Sequence, residues 1–123
     1  MRIMIVDDNA EMRTFVRSLL ADLADTIEDY ALGSVALDRL SQELPDWIIV
    51  DLVMPGVDGL AVTSWVKTHC PAVRVAVMTQ HANPELRNLA FETGASAFIP
   101  KEDLLDLRSL VQSEPASSKS VIP

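Results

Sequence analysis

The sequence predicts an α/β fold of five βα units, in which one parallel sheet is covered by helices on both faces. Three observations predict it. Short apolar runs, mostly rich in β-branched residues, recur along the chain without clean period-two alternation, as strands buried on both faces do. Segments with the spacing of amphipathic helices lie between them. Proline, glycine and asparagine mark the boundaries, and strands alternating with helices in this way imply parallel pairing.

The first strand is Ile3-Met4-Ile5-Val6. Met12, Phe15, Val16, Leu19, Leu20 and Leu23 then keep the i, i+3, i+4, i+7 spacing of one buried helical stripe. A weaker strand, Thr26 to Ala31, precedes a helix over Val35 to Leu40. Pro45-Asp46 leads into the strand Trp47-Ile48-Ile49-Val50, and Pro55-Gly56 turns the chain after it. A helix over Leu60 to Val66 is closed by Pro71, and the fourth strand runs from Val73 to Met78. Asn83-Pro84-Glu85 supplies a cap, a proline at the first helical position and an acid in the first turn for a helix over Leu86 to Phe91. Ala97-Phe98-Ile99 is the last strand, followed by a helix over Leu104 to Val111.

Length and charge narrow the classes. With 123 residues, 49% of them hydrophobic, the chain can bury one core and not two. No apolar stretch approaches the roughly 20 residues that span a bilayer, and the N-terminus has no signal-peptide pattern, so the expectation is a soluble cytoplasmic protein without a membrane partner. The single cysteine, Cys70, makes no internal disulfide. A net charge of −8 argues against direct binding of nucleic acid or anionic lipid by this chain. The domain is expected over residues 1–112. Residues 113–123, polar and proline-bearing without periodicity, read as a disordered tail or the start of a linker.

Five polar side chains end the apolar runs: Asp7 and Asp8 after the first, Asp51 after the third, Thr79 after the fourth and Lys101 after the fifth. In open α/β sheets the ligand crevice lies beyond the carboxyl ends of the strands, so these five would share one edge. Three carboxylates within ~5 Å of one another repel by roughly 3 kcal/mol per pair at an effective dielectric near 20. That strain is relieved if the side chains splay into water or if a cation sits among them. Hard oxygen donors suit Mg²⁺, with Mn²⁺ as the alternative. A carboxylate beside such a cation can become a nucleophile toward phosphorus, and Lys101 and the Thr79 hydroxyl would balance the charge of the product.

Taken with the segments Met4-Ile5-Val6-Asp7-Asp8-Asn9, Asp51-Leu52-Val53-Met54-Pro55-Gly56-Val57-Asp58-Gly59-Leu60, Thr79, and Gly94-Ala95-Ser96-Ala97-Phe98-Ile99-Pro100-Lys101, the chain resembles the response-regulator receiver domains of two-component signalling. The resemblance covers about residues 2 to 112 and implies a doubly wound, flavodoxin-like (βα)5 sheet of order 2-1-3-4-5. It implies that Asp51 accepts a phosphoryl group from the phosphohistidine of a sensor histidine kinase or phosphotransfer protein. Asp8 would ligate Mg²⁺ directly, Asp7 mainly through water, and the Val53 carbonyl would complete the protein ligands. Thr79 and Lys101 would each hold a phosphate oxygen. Phe98 matches the aromatic that changes its burial as the threonine moves, which would bias the surface of the fourth helix, fifth strand and fifth helix toward a partner, an output domain or a homodimer. The only chemistry implied is self-phosphorylation and self-dephosphorylation, with no independent substrate.

The chain departs from the family pattern at Lys101-Glu102, where many relatives have a proline after the lysine in a cis peptide; here Pro100 precedes the lysine. Gln80 stands where a small residue is frequent, and Val53 and His81 resemble the family's lifetime-tuning positions. Taken singly, the residues have plainer readings: an Asp-Asp pair is usually a solvated loop, Phe98 ordinary core, His69 and His81 solvent-facing, Met12 core and Arg13 surface. The leucines at 104, 105, 107 and 110, with Val111, exceed one buried stripe, as either a contact patch or a less regular end would give. Two other functions share the architecture. An aspartate-nucleophile phosphatase of the haloacid-dehalogenase type needs a second aspartate two residues on, where Val53 stands. A dinucleotide module needs a G-x-G-x-x-G turn that Gly33, Gly56, Gly59 and Gly94 do not make. A phosphorylation-independent scaffold would not require the full acidic and basic set.

Overall fold

A computed structural model describes residues 1–113. Five strands, β1 (Arg2–Val6), β2 (Thr26–Tyr30), β3 (Trp47–Asp51), β4 (Arg74–Thr79) and β5 (Ala97–Pro100), pair in parallel in the order β2-β1-β3-β4-β5. The helices are α1 (Ala10–Leu20), α2 (Gly33–Leu40), α3 (Gly59–His69), α4 (Pro84–Thr93) and α5 (Asp106–Gln112). The expected fold class and strand order are those observed. Residues 114–123, most of the expected tail, lie outside the described residues.

The two faces of the sheet explain why the strand runs show no alternation. Met4, Val6, Ile48, Val50, Val75 and Val77 point to one side, where they pack with Ala36, Leu40, Val62, Val66 and Ala90 of α2, α3 and α4. Their neighbours Ile3, Ile5, Trp47, Ile49, Ala76 and Met78 point to the other side and meet Val16 and Leu20 of α1 with Leu107 and Val111 of α5. Side chains alternate between faces while both faces are buried, so successive positions inside β1, β3 and β4 are apolar. β2 reads weakly because it is an edge strand whose side chains are not covered on both faces. Its side chains are half-buried or exposed, and Glu28 and Asp29 carry charge along it, a common protection for an open edge.

The helix starts follow from capping. Asn9, Asp58 and Asn83 lie before α1, α3 and α4, and their side-chain oxygens accept from the backbone N–H of Met12, Ala61 and Leu86. The structure shifts several boundaries. α1 stops at Leu20, and Leu23 lies in a turn whose N–H bonds to the Leu20 carbonyl. β3 and β4 extend to include Asp51 and Thr79. The last helix begins at Asp106 rather than Leu104, because Lys101–Asp103 form a 3₁₀ turn first. Leu104, Leu107 and Val111 are buried and Leu110 half-buried, while Leu105 is 71% exposed, so the leucine excess reduces to one outward side chain. Every peptide bond among the described residues is trans, including Lys101-Glu102.

Candidate functional site

β1 has its neighbours β2 and β3 on opposite sides, so the strand order reverses there and the crossings leave a crevice at the carboxyl ends of β1 and β3. Asp7 and Asp8 follow β1, Asp51 ends β3, Thr79 ends β4 and Lys101 follows β5. All five line one cleft of about 210 Å³, rimmed by Asn9, Val53, Gln80 and His81. One carboxylate oxygen from each of Asp7, Asp8 and Asp51 lies within 4.8 Å of the others. The sequence-predicted site is therefore assembled from four separate strand ends.

The three acids differ in surroundings. Asp7 is fully buried, and both its carboxylate oxygens have protein partners: Oδ1 accepts from the Asn9 N–H at 2.8 Å and Oδ2 from Lys101 Nζ at 3.0 Å. Asp8 is exposed to the cleft. Asp51 is 7% exposed, with Lys101 Nζ 3.5 Å from its Oδ1. Burial first, and the Asp7 charge second, push the Asp51 carboxyl up to about 6. Lys101 and the Val53 backbone N–H pull the other way without offsetting that rise. With desolvation and a neighbouring carboxylate both disfavouring the Asp51 charge, the cluster is short of positive charge. Three hard carboxylate oxygens in an open cleft fit a small divalent cation that keeps part of its water shell.

Thr79 is 1% exposed, and its Oγ1 accepts from the His81 backbone N–H at 2.9 Å. That bond occupies a lone pair and leaves the hydroxyl hydrogen free to donate. Phe98 is half-buried on β5 and packs against the α2-α3-α4 side of the core. The register pairs Val77 with Phe98 and Thr79 with Pro100, so Thr79 and Phe98 are diagonal neighbours on one sheet face. Val53 is 59% exposed at the rim. His81 and His69 are exposed, as expected of loop and surface histidines, although the His69 ring stacks on Trp65 at 4.3 Å.

Two supporting features were not apparent as such in the sequence. Arg13, expected at the surface, is half-buried: its Nη1 donates to the Asp7 carbonyl at 2.8 Å and its Nε to Asp29 Oδ1 at 3.1 Å. The signal available was an arginine one helical turn beyond the Asn9 cap. Gly59, at the start of α3, lies so close to β3 that a Cβ there would sit 2.3 Å from the Asp51 carbonyl oxygen. Nothing but glycine lets α3 approach the strand end that carries Asp51.

Comparison with known proteins agrees with this geometry. The family model described as "Response regulator receiver domain" matches residues 3–112. The chain is 32% identical over 97 residues to the DNA-binding transcriptional regulator NtrC of Escherichia coli, covering 79% of this chain and 21% of that protein. It is 29% identical over 106 residues to the response regulator MprA of Mycobacterium avium, covering 86% of this chain and 46% of that one. The chain thus spans between a fifth and a half of these relatives. Among solved structures, a LuxR-family two-component response regulator from Aurantimonas superposes with a TM-score of 0.82 at 28% identity, over 90% of this chain and 81% of that one. The chemotaxis protein CheY4 of Vibrio cholerae superposes with a TM-score of 0.81 over 90% of this chain and 95% of that one; at 24% identity this likeness speaks to the fold. With the family model covering nearly all the described residues and the acidic cluster at the sheet's carboxyl edge, the chain belongs to the response regulator receiver domains, the phosphorylation-controlled switches of two-component signalling.

Proposed function

We propose that Asp51 is the phosphoacceptor of this receiver domain, that Asp7, Asp8, Asp51 and the Val53 carbonyl hold Mg²⁺ or Mn²⁺, and that Thr79 and Lys101 bind the transferred phosphoryl group. The observation that carries this reading is the convergence of the three carboxylates within 4.8 Å, with Lys101 Nζ reaching both Asp7 and Asp51. Division of labour follows from the partners. Asp7 has both oxygens engaged by the protein, so it acts on a cation mainly through water, whereas Asp8, facing the cleft, is free to ligate directly.

In the transfer, an Asp51 oxygen forms a bond to phosphorus as the phosphorus–nitrogen bond of a donor phosphohistidine breaks. The electron pair leaves on the imidazole nitrogen, which ends the step neutral by virtue of its ring proton. A divalent cation held by Asp7, Asp8, Asp51 and the Val53 carbonyl would supply charge neutralisation of the phosphoryl oxygens. Lys101 Nζ gives up part of its pairing with the carboxylates to meet a second phosphoryl oxygen, and the free Thr79 O–H donates to a third. Because Thr79 and Phe98 are diagonal neighbours, motion of the hydroxyl toward the phosphoryl group changes the space beside the half-buried ring. The switch surface is then α4, β5 and α5, where Leu89 and Phe91 of α4 and Leu105, just before α5, are exposed. It would serve an output domain, a partner or a second copy. The donor is a sensor histidine kinase or phosphotransfer protein, the site is cytoplasmic, and the functional unit is residues 1–112 with no substrate turnover beyond its own phosphorylation and dephosphorylation. Acetyl phosphate with Mg²⁺ tests this: the protein gains one acid-stable, base-labile phosphoryl group, absent in Asp51→Asn. Sustained hydrolysis of small phosphate esters would instead favour a phosphatase.

A further inference from the structure

We propose that Arg13 is a positioning residue for the acidic turn, fixing the peptide between Asp7 and Asp8 so that the two side chains diverge correctly, one toward Lys101 and one into the cleft. The proposal rests on the reading of this cluster as a divalent-cation site. Asp7 is held from both sides of its backbone: its N–H donates to the Tyr30 carbonyl at 3.1 Å, and its carbonyl accepts from Arg13 Nη1 at 2.8 Å. The second bond sets the rotation of the peptide plane from which Asp8 departs. Arg13 is in turn fixed by Asp29 on β2, whose Oδ1 takes Arg13 Nε at 3.1 Å and whose Oδ2 takes Arg17 Nε at 3.0 Å and Nη2 at 2.6 Å. A carboxylate shared between two arginines leaves the Arg13 guanidinium little freedom, and its planar fork spans both partners at once. The chain of contacts therefore runs from the edge strand, through α1, to the backbone of the acidic turn.

Charge and geometry predict opposite signs. A guanidinium beside the acidic cluster repels a cation, so if its field were all that mattered, removing it would tighten cation binding. If its bond to the Asp7 carbonyl orients the ligands, removing it weakens binding, as loss of an outer partner of a metal ligand does.

Titration calorimetry with Mg²⁺ on the parent, Arg13→Ala, Arg13→Gln and Arg13→Lys decides between them. The expected result is roughly tenfold weaker binding in Arg13→Ala, with partial recovery in Arg13→Gln and Arg13→Lys, each of which keeps a donor for the carbonyl. Amide hydrogen exchange of the metal-free proteins supplies a second readout: Asn9 N–H, bonded to Asp7 Oδ1, exchanges faster in Arg13→Ala while the β3 amides do not. Unchanged or tighter Mg²⁺ binding in Arg13→Ala, with Asn9 exchange as in the parent, would overturn the proposal even if the melting temperature falls. Should Arg13→Ala not fold, the Arg13→Gln comparison carries the same two outcomes. A parent that binds no Mg²⁺ would overturn the cation-site reading itself, and this proposal with it.

Discussion

Lys101 Nζ lies 3.0 Å from Asp7 Oδ2, joining the end of β5 to the end of β1 across the whole width between them, with Asp7 fully buried and Lys101 only 10% exposed. A lone carboxylate at that depth would be strongly disfavoured, and Lys101 is the cation that permits it. Lys101→Ala is expected to destabilise the metal-free domain by about 3 kcal/mol, the order seen when one partner of a buried pair is removed. Urea denaturation with and without Mg²⁺ checks this: added Mg²⁺ stabilises the variant more than the parent, because it meets an uncompensated acidic cluster.

Asp51 gives the metal-free protein a pH dependence of defined sign. Its folded-state carboxyl is raised from 3.8 to about 6, so the folded state holds the proton more tightly than the unfolded chain. Its contribution is fully present below about 4 and is lost as pH rises through about 6. At pH 7 the ionised group opposes folding by up to about 3 kcal/mol. Asp51→Asn should therefore be more stable than the parent at pH 7 without metal, and the two should converge near pH 4. Denaturation midpoints at the two pH values measure it.

Much of this arrangement was legible in the sequence because strand ends are. A run such as Trp47-Ile48-Ile49-Val50 can only be a doubly covered strand in this context, and the residue after it is delivered to the sheet edge whatever the loops do. Asp7, Asp8, Asp51, Thr79 and Lys101 needed no more than that. What was not legible depends on three-dimensional closeness rather than period. Arg13 looks like a polar position of an amphipathic helix, and only the placement of Asp29 on β2 turns it inward. Gly59 reads as a loop glycine until α3 is seen against the Asp51 carbonyl. The last helix starts later than the apolar pattern predicts, because Leu104 fits the helical stripe while the backbone before it makes a 3₁₀ turn.

Gly59→Ala places a methyl group 2.3 Å from the Asp51 carbonyl oxygen unless α3 or β3 moves. The expected cost is about 1 to 3 kcal/mol, typical of overpacking, together with slower phosphorylation by acetyl phosphate because the phosphoacceptor's own backbone shifts. Gly56→Ala serves as the comparison. Its φ of 72° brings backbone strain, yet no atom lies within 4 Å of an added Cβ, so its phosphorylation rate should change less.

The edge strand carries a second pH signature, opposite to that of Asp51. The Arg39 guanidinium, with help from the Tyr30 hydroxyl, holds the Glu28 carboxyl down at about 2. Arg39 Nε and Nη2 donate to its two oxygens at 3.0 and 3.2 Å. A depressed carboxyl stabilises above its unfolded value, near 4.5, and the contribution disappears as pH falls toward 2. Solvent reaches this pair, which limits its worth to about 1 kcal/mol. Glu28→Gln should lower stability at pH 7 by that amount and by nothing at pH 2, as equilibrium denaturation across the range would show.

The most direct test of the account locates the phosphoryl group itself. The protein is incubated with acetyl phosphate and Mg²⁺, the acyl phosphate is reduced with borohydride, and the peptides are mapped by mass spectrometry. The account predicts a single reduced residue at Asp51, abolished by omission of Mg²⁺ or by Asp8→Asn. Reduction at Asp7, Asp8 or Asp58 in its place, or a chain left unmodified while Mg²⁺ binds, would contradict it.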